Sequence, residues 1–576
     1  MGKALDEPTA PPGWTTTAEP MRIAILGWAR LSLQVREGSG YNLSASELAS
    51  GLSMTGHHVS YLASGIRFSL VPGPRVRPTE RWRGVACFEL VNSPNCAPSA
   101  CNFKNVGNEM RSPRQARLVL RWLDAVRADA VHVHSLEGFG MDLIAAIRAS
   151  GRPVVVTPHN YWFICPQVDL LHRETHLCED YDGGRRCVGC LDSGAYWPQR
   201  FKRTLGQALE SAFGPALADI VRKTSYGVVD RFRTNGRESN DERADHDEPK
   251  PDPELGIGFN VDDAAAHTGR IEHNHTLSPD DEPVELSRSP IDQNERFLQA
   301  DVHLAVLNEY GRRRAAGVEA LNHASLVTPP SDFVRRVYVR MGVEESRTRV
   351  VRLGQPHFDQ INRRARRSPY YDTRPWEPRS ARRPLRFVFF GTTRHNKGLD
   401  VLIRAIPLLD RDVRQRSQFL IRASGWDWPF RRRVAEYPEV QFAGGYDLLQ
   451  LIGAWGEYDV GLLPHIWFEN SPLVMLEHLH AGRMMIASRL GGPVEWIVEP
   501  GDEQNGTGEG RALRYNGLFF PGGDPEGLAE RITQLVTGEI IIPSPREIHA
   551  ATPILQSYPD HIAEVESIYR ELLAGA

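Results

Sequence analysis

Two lobes of doubly wound α/β structure facing each other across a cleft are the fold class this sequence predicts. Three observations carry the prediction. Short apolar runs alternate with amphipathic stretches from Arg22 onward, a second series of the same kind begins near Arg386, and an arginine-rich, proline-punctuated stretch separates them. Such alternation is βαβ rhythm, and apolar runs without polar alternation suit a parallel sheet covered on both faces.

The first series runs RIAILG from Arg22, the helical SASELASGL, HHVSYLA after Gly56, ADAVHVH at 128–134, the helical FGMDLIAAIRAS, PVVVTPH at 153–159 and ADVHLAVL at 300–307. The strand-like SLVTPPS and the helical SDFVRRVYVRMG close it. The second runs RFVFFG, the helical GLDVLIRAIPLL, QFLIRAS, VQFAGG, YDVGLLP, the helical PLVMLEHLHAG and MMIASR. These patterns divide the chain into a disordered tail (1–20), a first lobe (21–357), a linker (358–384), a second lobe (385–554) and a closing helix (555–576). Residues 235–294 are acidic, proline-rich and poor in aromatics, which predicts a disordered insertion.

At 576 residues the chain has ample length for two lobes. The balance of 68 Lys+Arg against 72 Asp+Glu leaves a formal charge of -4, which offers no basic excess for nucleic acid and favours a small-molecule ligand. No apolar run is long enough to span a bilayer, and the polar, proline-rich start is unlike a signal peptide, so a cytoplasmic protein is expected.

The segment WFENSPLVMLEHLHAG separates Glu469 from Glu477 by seven residues. Ser471 suits an N-cap and Pro472 a first helical position, so a helix is expected from there to Gly482. Glu469 then lies on the preceding loop. Glu477 shares an apolar stripe with Leu473 and Ala481 and points inward, where a carboxylate needs partners. Sugar hydroxyls would supply them, and the helix N-terminus suits a diphosphate. An ordinary amphipathic helix whose glutamate is satisfied by a neighbouring side chain fits the same pattern.

The segment resembles the E-x7-E motif of the family 4 retaining glycosyltransferases, which have the GT-B fold of two Rossmann-like lobes. LPHIWFENSPLVMLEHLHAG followed by GGPVEWI at 491–497, and the closing DHIAEVESIYREL, extend the resemblance over nearly all of the chain from Arg22 apart from the insertion. It implies transfer of a sugar from a nucleotide-sugar donor (UDP-, GDP- or ADP-linked) with retention, as in polysaccharide biosynthesis, and a last helix crossing back onto the first lobe. It also implies roles. Glu469 would bind the transferred sugar, Glu477 the ribose, and backbone groups around Asn470, Ser471, Leu473 and Val474 the sugar and phosphate. Lys397, in GTTRHNKGLD after Gly391, fits the lysine that neutralises the diphosphate. The arginine that ordinarily follows the loop glycine is Thr392 here, and Arg394 is near enough to substitute. No catalytic metal is expected.

On the facing lobe His134 ends the strand AVHVH, at the edge where α/β sheets present ligands, and the family's corresponding histidine contacts the transferred sugar. A packing histidine is the alternative, and His132, one strand position deeper, reads as structural. Gly38 and Gly40 in REGSGYN permit close backbone approach to the donor phosphate or the acceptor, and in the family a glycine loop in that place lines the donor cleft. His159 in TPHNYW ends another strand on the acceptor side, with Tyr161 and Trp162 able to pack on a sugar face or to serve as core.

Cys165, Cys178, Cys187 and Cys190 fall in one stretch closed by a C-x2-C pair, which can make a structural zinc site; an iron–sulfur cluster or free thiols compete. Cys96 and Cys101 read as ordinary loop residues.

The acceptor can be a glycan, a lipid-linked sugar or a small molecule. A lipid-linked one would bring peripheral contact with the inner membrane face, although no basic amphipathic helix marks such a contact in the sequence. A nucleotide-sugar epimerase, a phosphorylase and a non-catalytic binding protein are the competing functions. The first two lack an identifiable acid/base pair or cofactor lysine, and Thr392 leaves the third open.

Overall fold

In the computed structural model, residues 19–31, 40–213, 293–302, 304–378, 382–446, 448–501 and 513–575 are described. Most of the expected N-terminal tail, Gly38, and the insertion up to residue 292 lie outside them.

The strands are β1 (Arg22–Gly27), β2 (His58–Ser64), β3 (Arg75–Pro78), β4 (Ala86–Val91), β5 (Ala130–Val133), β6 (Val154–Val156), β7 (Leu171–His172), β8 (His176–Leu177), β9 (Leu326–Val327), β10 (Leu385–Thr392), β11 (Ser417–Ser424), β12 (Val440–Phe442), β13 (Val460–Leu463), β14 (Met484–Ser488) and β15 (Gly517–Phe520). They form a seven-stranded sheet ordered β3-β4-β2-β1-β5-β6-β9, a six-stranded sheet ordered β12-β11-β10-β13-β14-β15, and the small hairpin β7-β8. Apart from β3, which runs antiparallel to β4, both large sheets are parallel.

The continuous apolar runs are explained by burial on both faces. Successive side chains of a strand point to opposite sides. In β1, Ala24 and Leu26 enter one core with Leu62, Val131 and Val133, while Ile23 and Ile25 enter another with Leu48, Leu52, Ile562 and Tyr569. In β10, Phe387 and Phe389 face the main second-lobe core, and Val388 and Phe390 pack with Ala454 and Tyr458. A polar residue at any of these positions would be buried without solvent.

The last helix, Tyr558–Ala574, lays Tyr558, Ile562, Val565, Ile568 and Tyr569 into the first-lobe core beside helix Gly40–Met54. Helix Pro356–Arg366 occupies the start of the stretch expected as linker, and its Phe358 is part of the second-lobe core.

One expected strand is not formed. Among the described residues of ADVHLAVL no strand forms, and Leu304, Val306 and Leu307 are exposed ahead of helix Glu309–His323. The place beside β6 is taken by β9.

Candidate functional site

The carboxyl ends of the two sheets meet. In the first lobe β5 ends into His134 and β6 into Thr157, Pro158 and His159. In the second, β10 runs into the loop bearing Arg394 and Lys397, β13 into the loop bearing Glu469, and β14 into the 489–497 turn. Loops at carboxyl ends are where open α/β sheets bind ligands.

Lys397 and Glu469, far apart in sequence, form an ion pair between the two second-lobe loops. Burial acts to raise the Glu469 carboxyl, but the Lys397 ammonium and the neighbouring His465 outweigh it and hold the group below its ordinary value. The Lys397 ammonium also lies 5.1 Å from the centre of the Trp467 ring. Its loop is shaped by Gly398, whose positive φ of 73° and contact with the Pro464 carbonyl, 1.7 Å from where a Cβ would stand, leave room for glycine alone.

The helix after Glu469 runs Leu473–His480, with Pro472 in the extended conformation at its N-cap (φ -66°, ψ 121°). Ser471 therefore does not cap it, contrary to expectation. Its hydroxyl is buried and lacks a hydrogen-bond partner among the described residues. Glu477 is buried as expected, and one of its oxygens faces His357 Nε2 at 2.9 Å. The other, Oε2, has no partner among the described residues. A buried carboxylate oxygen of this kind is costly unless a ligand hydroxyl completes it.

Several groups bolt the Glu469 loop to the first lobe. Tyr161 is fully buried and its hydroxyl donates to the Phe468 carbonyl at 2.8 Å, and Phe468 packs against Phe297 and Phe333. The amide of Asn470 donates to the carbonyls of Pro158 (3.3 Å) and His159 (3.2 Å), and its oxygen accepts from Ser331 Oγ at 2.7 Å. Asn470 is thus occupied as an interlobe pin. Tyr161 and Trp162 are core rather than sugar platforms: both are buried, and the Trp162 ring nitrogen donates to Ser99 Oγ at 2.5 Å.

The GGPVEWI turn buttresses the same loop. The N–H of Gly492 donates to the Glu469 carbonyl at 2.8 Å. Gly491 has φ +72°, and a Cβ on it would stand 2.1 Å from that carbonyl. Asn294 clasps Gly491 through two hydrogen bonds, 3.0 and 2.8 Å. Asn294 was expected to end the disordered insertion, yet it is buried in helix Gln293–Gln299. Glu495 accepts the first N–H groups of helix Asp332–Arg340 at 3.0 and 2.8 Å and pairs with Arg352 at 2.5 Å. His357, Asn294 and Glu495 had no sequence signal, because each acts through a distant partner.

On the first-lobe wall His134 Nδ1 lies 2.8 Å from His159 Nε2, and the His134 ring stacks on His132. His132 is held by the Tyr569 hydroxyl at 2.6 Å and Thr157 Oγ1 at 2.8 Å, a structural role as expected. Burial lowers all three imidazoles, His132 and His159 to about 3, so this wall is neutral. The Nε2 of His134 is buried and has no partner among the described residues.

Gly40 brings the two walls together, since a Cβ there would come within 3.1 Å of Leu473 Cδ1. Val474 is half-buried beside Phe390 and Tyr458, and Gly391 lies at the end of β10. Arg394 is exposed, and its charge bears on the half-buried Asp169 of the facing lobe. Burial pushes the Asp169 carboxyl up to about 7.

The four cysteines expected to be able to hold zinc are free thiols, each raised by burial. Among the described residues no group of three or more His, Cys, Asp or Glu side chains is gathered closely enough to hold a metal ion. The stretch folds instead around the β7-β8 hairpin, with Cys190 Sγ on Gln167 Oε1 at 3.2 Å. Cys96 and Cys101 are buried core residues.

Two facing Rossmann-like lobes with ligand loops at both carboxyl edges define the GT-B class. Residues 39–243 match the family model described as glycosyl transferase 4-like domain, and residues 384–538 the model described as glycosyl transferases group 1. Together the two models take in more than half of the chain, which therefore belongs to the family 4 glycosyltransferases and catalyses glycosyl transfer.

Solved structures with the same fold include sucrose-phosphate synthase from Thermosynechococcus elongatus, 14% identical with a TM-score of 0.51, covering 96% of this chain and 100% of that one. The catalytic domain of starch synthase IV from Arabidopsis thaliana, bound to ADP and acarbose, is 12% identical with a TM-score of 0.50 (97% and 100% covered). An α,α-trehalose-phosphate synthase (UDP-forming) from Burkholderia xenovorans is 10% identical with a TM-score of 0.50 (96% and 100% covered). No curated sequence matches the chain significantly.

Proposed function

We propose that this glycosyltransferase takes a sugar from a nucleotide-sugar donor and passes it, with retention at the anomeric carbon, to a glycan, lipid-linked or small-molecule acceptor. The observation that carries the reading is the contact of Lys397 with Glu469. A nucleotide sugar presents a diphosphate and a set of hydroxyls on adjacent atoms, and a cation touching a carboxylate answers both demands at one place. Among proteins of this fold, one is bound to ADP and one is UDP-forming, in keeping with a nucleoside diphosphate as leaving group.

In this reading Glu469 holds hydroxyls of the transferred sugar, and the open Oε2 of Glu477 takes the ribose. Lys397 and the N-terminus of helix Leu473–His480, with the backbone of Ser471 to Val474, stabilise the charge that develops on the leaving diphosphate. Charge stabilisation by preorganised groups requires no protein nucleophile. The departing phosphate accepts the proton of the acceptor hydroxyl as that hydroxyl attacks the same face. His134, neutral and with a free ring nitrogen, hydrogen-bonds the sugar from the opposite wall, with His159 setting its tautomer. Gly40 and the interlobe pins keep water out of the closed site. Arg394, exposed on the same loop as Lys397, supplies the second cation where Thr392 cannot.

The test is a panel of UDP-, GDP- and ADP-sugars assayed for donor hydrolysis and nucleotide binding. Turnover with one donor class is expected. Binding without turnover would point to the non-catalytic reading that Thr392 suggests, and neither with any donor would overturn the proposal.

A further inference from the structure

Helix Glu309–His323 buries two consecutive arginines, and only the first of them meets a carboxylate among the described residues. Arg313 donates Nε to Glu109 Oε2 at 2.6 Å and Nη1 to the Trp162 carbonyl at 2.8 Å. Arg314 is 5% exposed. Its Nε donates to the Ile164 carbonyl at 2.8 Å, Nη1 reaches only the Met341 sulfur at 3.9 Å, and Nη2 has no hydrogen-bond partner among the described residues. A guanidinium keeps its proton, so its burial is costly until an anion reaches it.

The groups around Arg314 do not neutralise it. The guanidinium lies over the Tyr181 ring, whose face attracts a cation without carrying charge. Cys187, Cys178 and Cys165 would offset the charge only as thiolates, and burial raises each thiol, Cys178 to about 11 and Cys187 to about 12, so all three hold their protons. The half-buried Arg340 adds a like charge that opposes that of Arg314. Burial pulls the Arg314 guanidinium itself below its ordinary value.

Arg314 lines a pocket of about 630 Å³ together with Tyr181, Leu304, Val318 and Met341. That volume is in the range of small-molecule sites and exceeds what a bare ion needs. Two carboxylates also line it, both exposed and turned to cations of their own: Glu344 accepts from Arg347 Nε at 2.6 Å, and Glu319 lies 3.8 Å from His323 Nε2. Exposed pairs of this kind are solvated, which leaves Arg314 as the desolvated charge of the pocket. None of the residues placed at the transfer site lines it. We propose that this pocket binds a small organic anion, a phosphate or carboxylate group on an apolar body. The anionic group bonds the open Nη2 of Arg314, and the apolar body lies along Leu304, Val318 and Met341.

The full chain is titrated by calorimetry with phenyl phosphate, benzoate, inorganic phosphate and the neutral benzyl alcohol. Saturable binding of phenyl phosphate or benzoate at this site is expected, the tighter of the two identifying the anionic group, with inorganic phosphate and benzyl alcohol weaker by about tenfold or more. Arg314→Met should weaken the anion by about tenfold or more while Tm stays at or above the wild-type value, since the change removes a buried charge without a counter-ion. Ala315→Phe, on the exposed rim of the pocket, should weaken it about tenfold with Arg314 in place. Lys397→Ala should leave this binding unchanged, which separates the pocket from the diphosphate site. No saturable binding of either organic anion, equal binding of benzyl alcohol or inorganic phosphate, retention of binding by Arg314→Met or by Ala315→Phe, its loss in Lys397→Ala, or a fall in the Tm of Arg314→Met would each overturn the assignment.

Discussion

The two walls of the cleft are built from opposite chemistry. The second-lobe wall is charged: Lys397 and Glu469 pair directly, and Glu477 stands buried on the helix behind them. The first-lobe wall is neutral: His132, His134 and His159 are stacked or hydrogen-bonded to one another, and burial drives their imidazoles well below neutrality. A charged wall answers a ligand whose charge changes during reaction, and a neutral one answers a ligand of hydroxyls. In the proposed reading the charged wall takes the diphosphate and, through Glu469, hydroxyls of the transferred sugar, while the neutral wall meets that sugar from the other side through His134.

The comparison can be broken most sharply at Glu469. Glu469→Gln should reduce transfer by roughly 10³-fold or more with little loss of stability, because the Lys397 it leaves behind is half-exposed and can be solvated; wild-type rates in that variant would remove the charged wall from the mechanism. Next in size, Lys397→Ala should lower kcat by about 10²- to 10³-fold, which steady-state kinetics with a saturating donor would register. Glu477→Gln should mainly weaken nucleotide binding, by about tenfold, read by calorimetry. A fall in kcat without a change in affinity would move Glu477 from the ribose to the reacting centre.

The neutral wall is tested by acid. His132 and His159 are lowered to about 3 and His561 to about 4, chiefly by burial, from an ordinary 6.5. Between those values the unfolded chain binds protons that the folded chain refuses, so stability is full above about 6.5 and falls as the pH drops toward 3. Thermal unfolding should show Tm declining steadily from pH 7 to 5, and a flat profile would mean that these rings are hydrated in solution.

Much of the site was legible because its signals are local. Glu469, Pro472 and Glu477 lie within one loop and helix, and Lys397 precedes a helix start, so strand ends and helix starts gave their positions while the family resemblance gave their roles. What misled was equally local. Ser471 and Pro472 read as a cap and first turn, but Pro472 is extended and the cap is displaced. Tyr161 and Trp162 follow a strand end as a sugar platform would, yet tertiary packing buries both. Among the described residues ADVHLAVL has a strand's composition but forms no strand, and the cysteine stretch has a metal site's spacing without its geometry. No residue near Glu477 in sequence announced His357, and nothing in the helix Glu309–His323 pattern told which of its arginines would be buried.

By itself, then, the sequence determined the two doubly wound lobes, their order, and the loop that carries the carboxylates, since strand burial, turn chemistry and helix starts are written in neighbouring residues. The tertiary structure alone decided the pairing of Lys397 with Glu469, the clasp of Asn294 and Glu495 across the lobes, the neutral histidine wall and the burial of Arg314. Each of these depends on which distant surfaces exclude water from one another, and solvent exclusion is a property of the packed chain rather than of any segment of it.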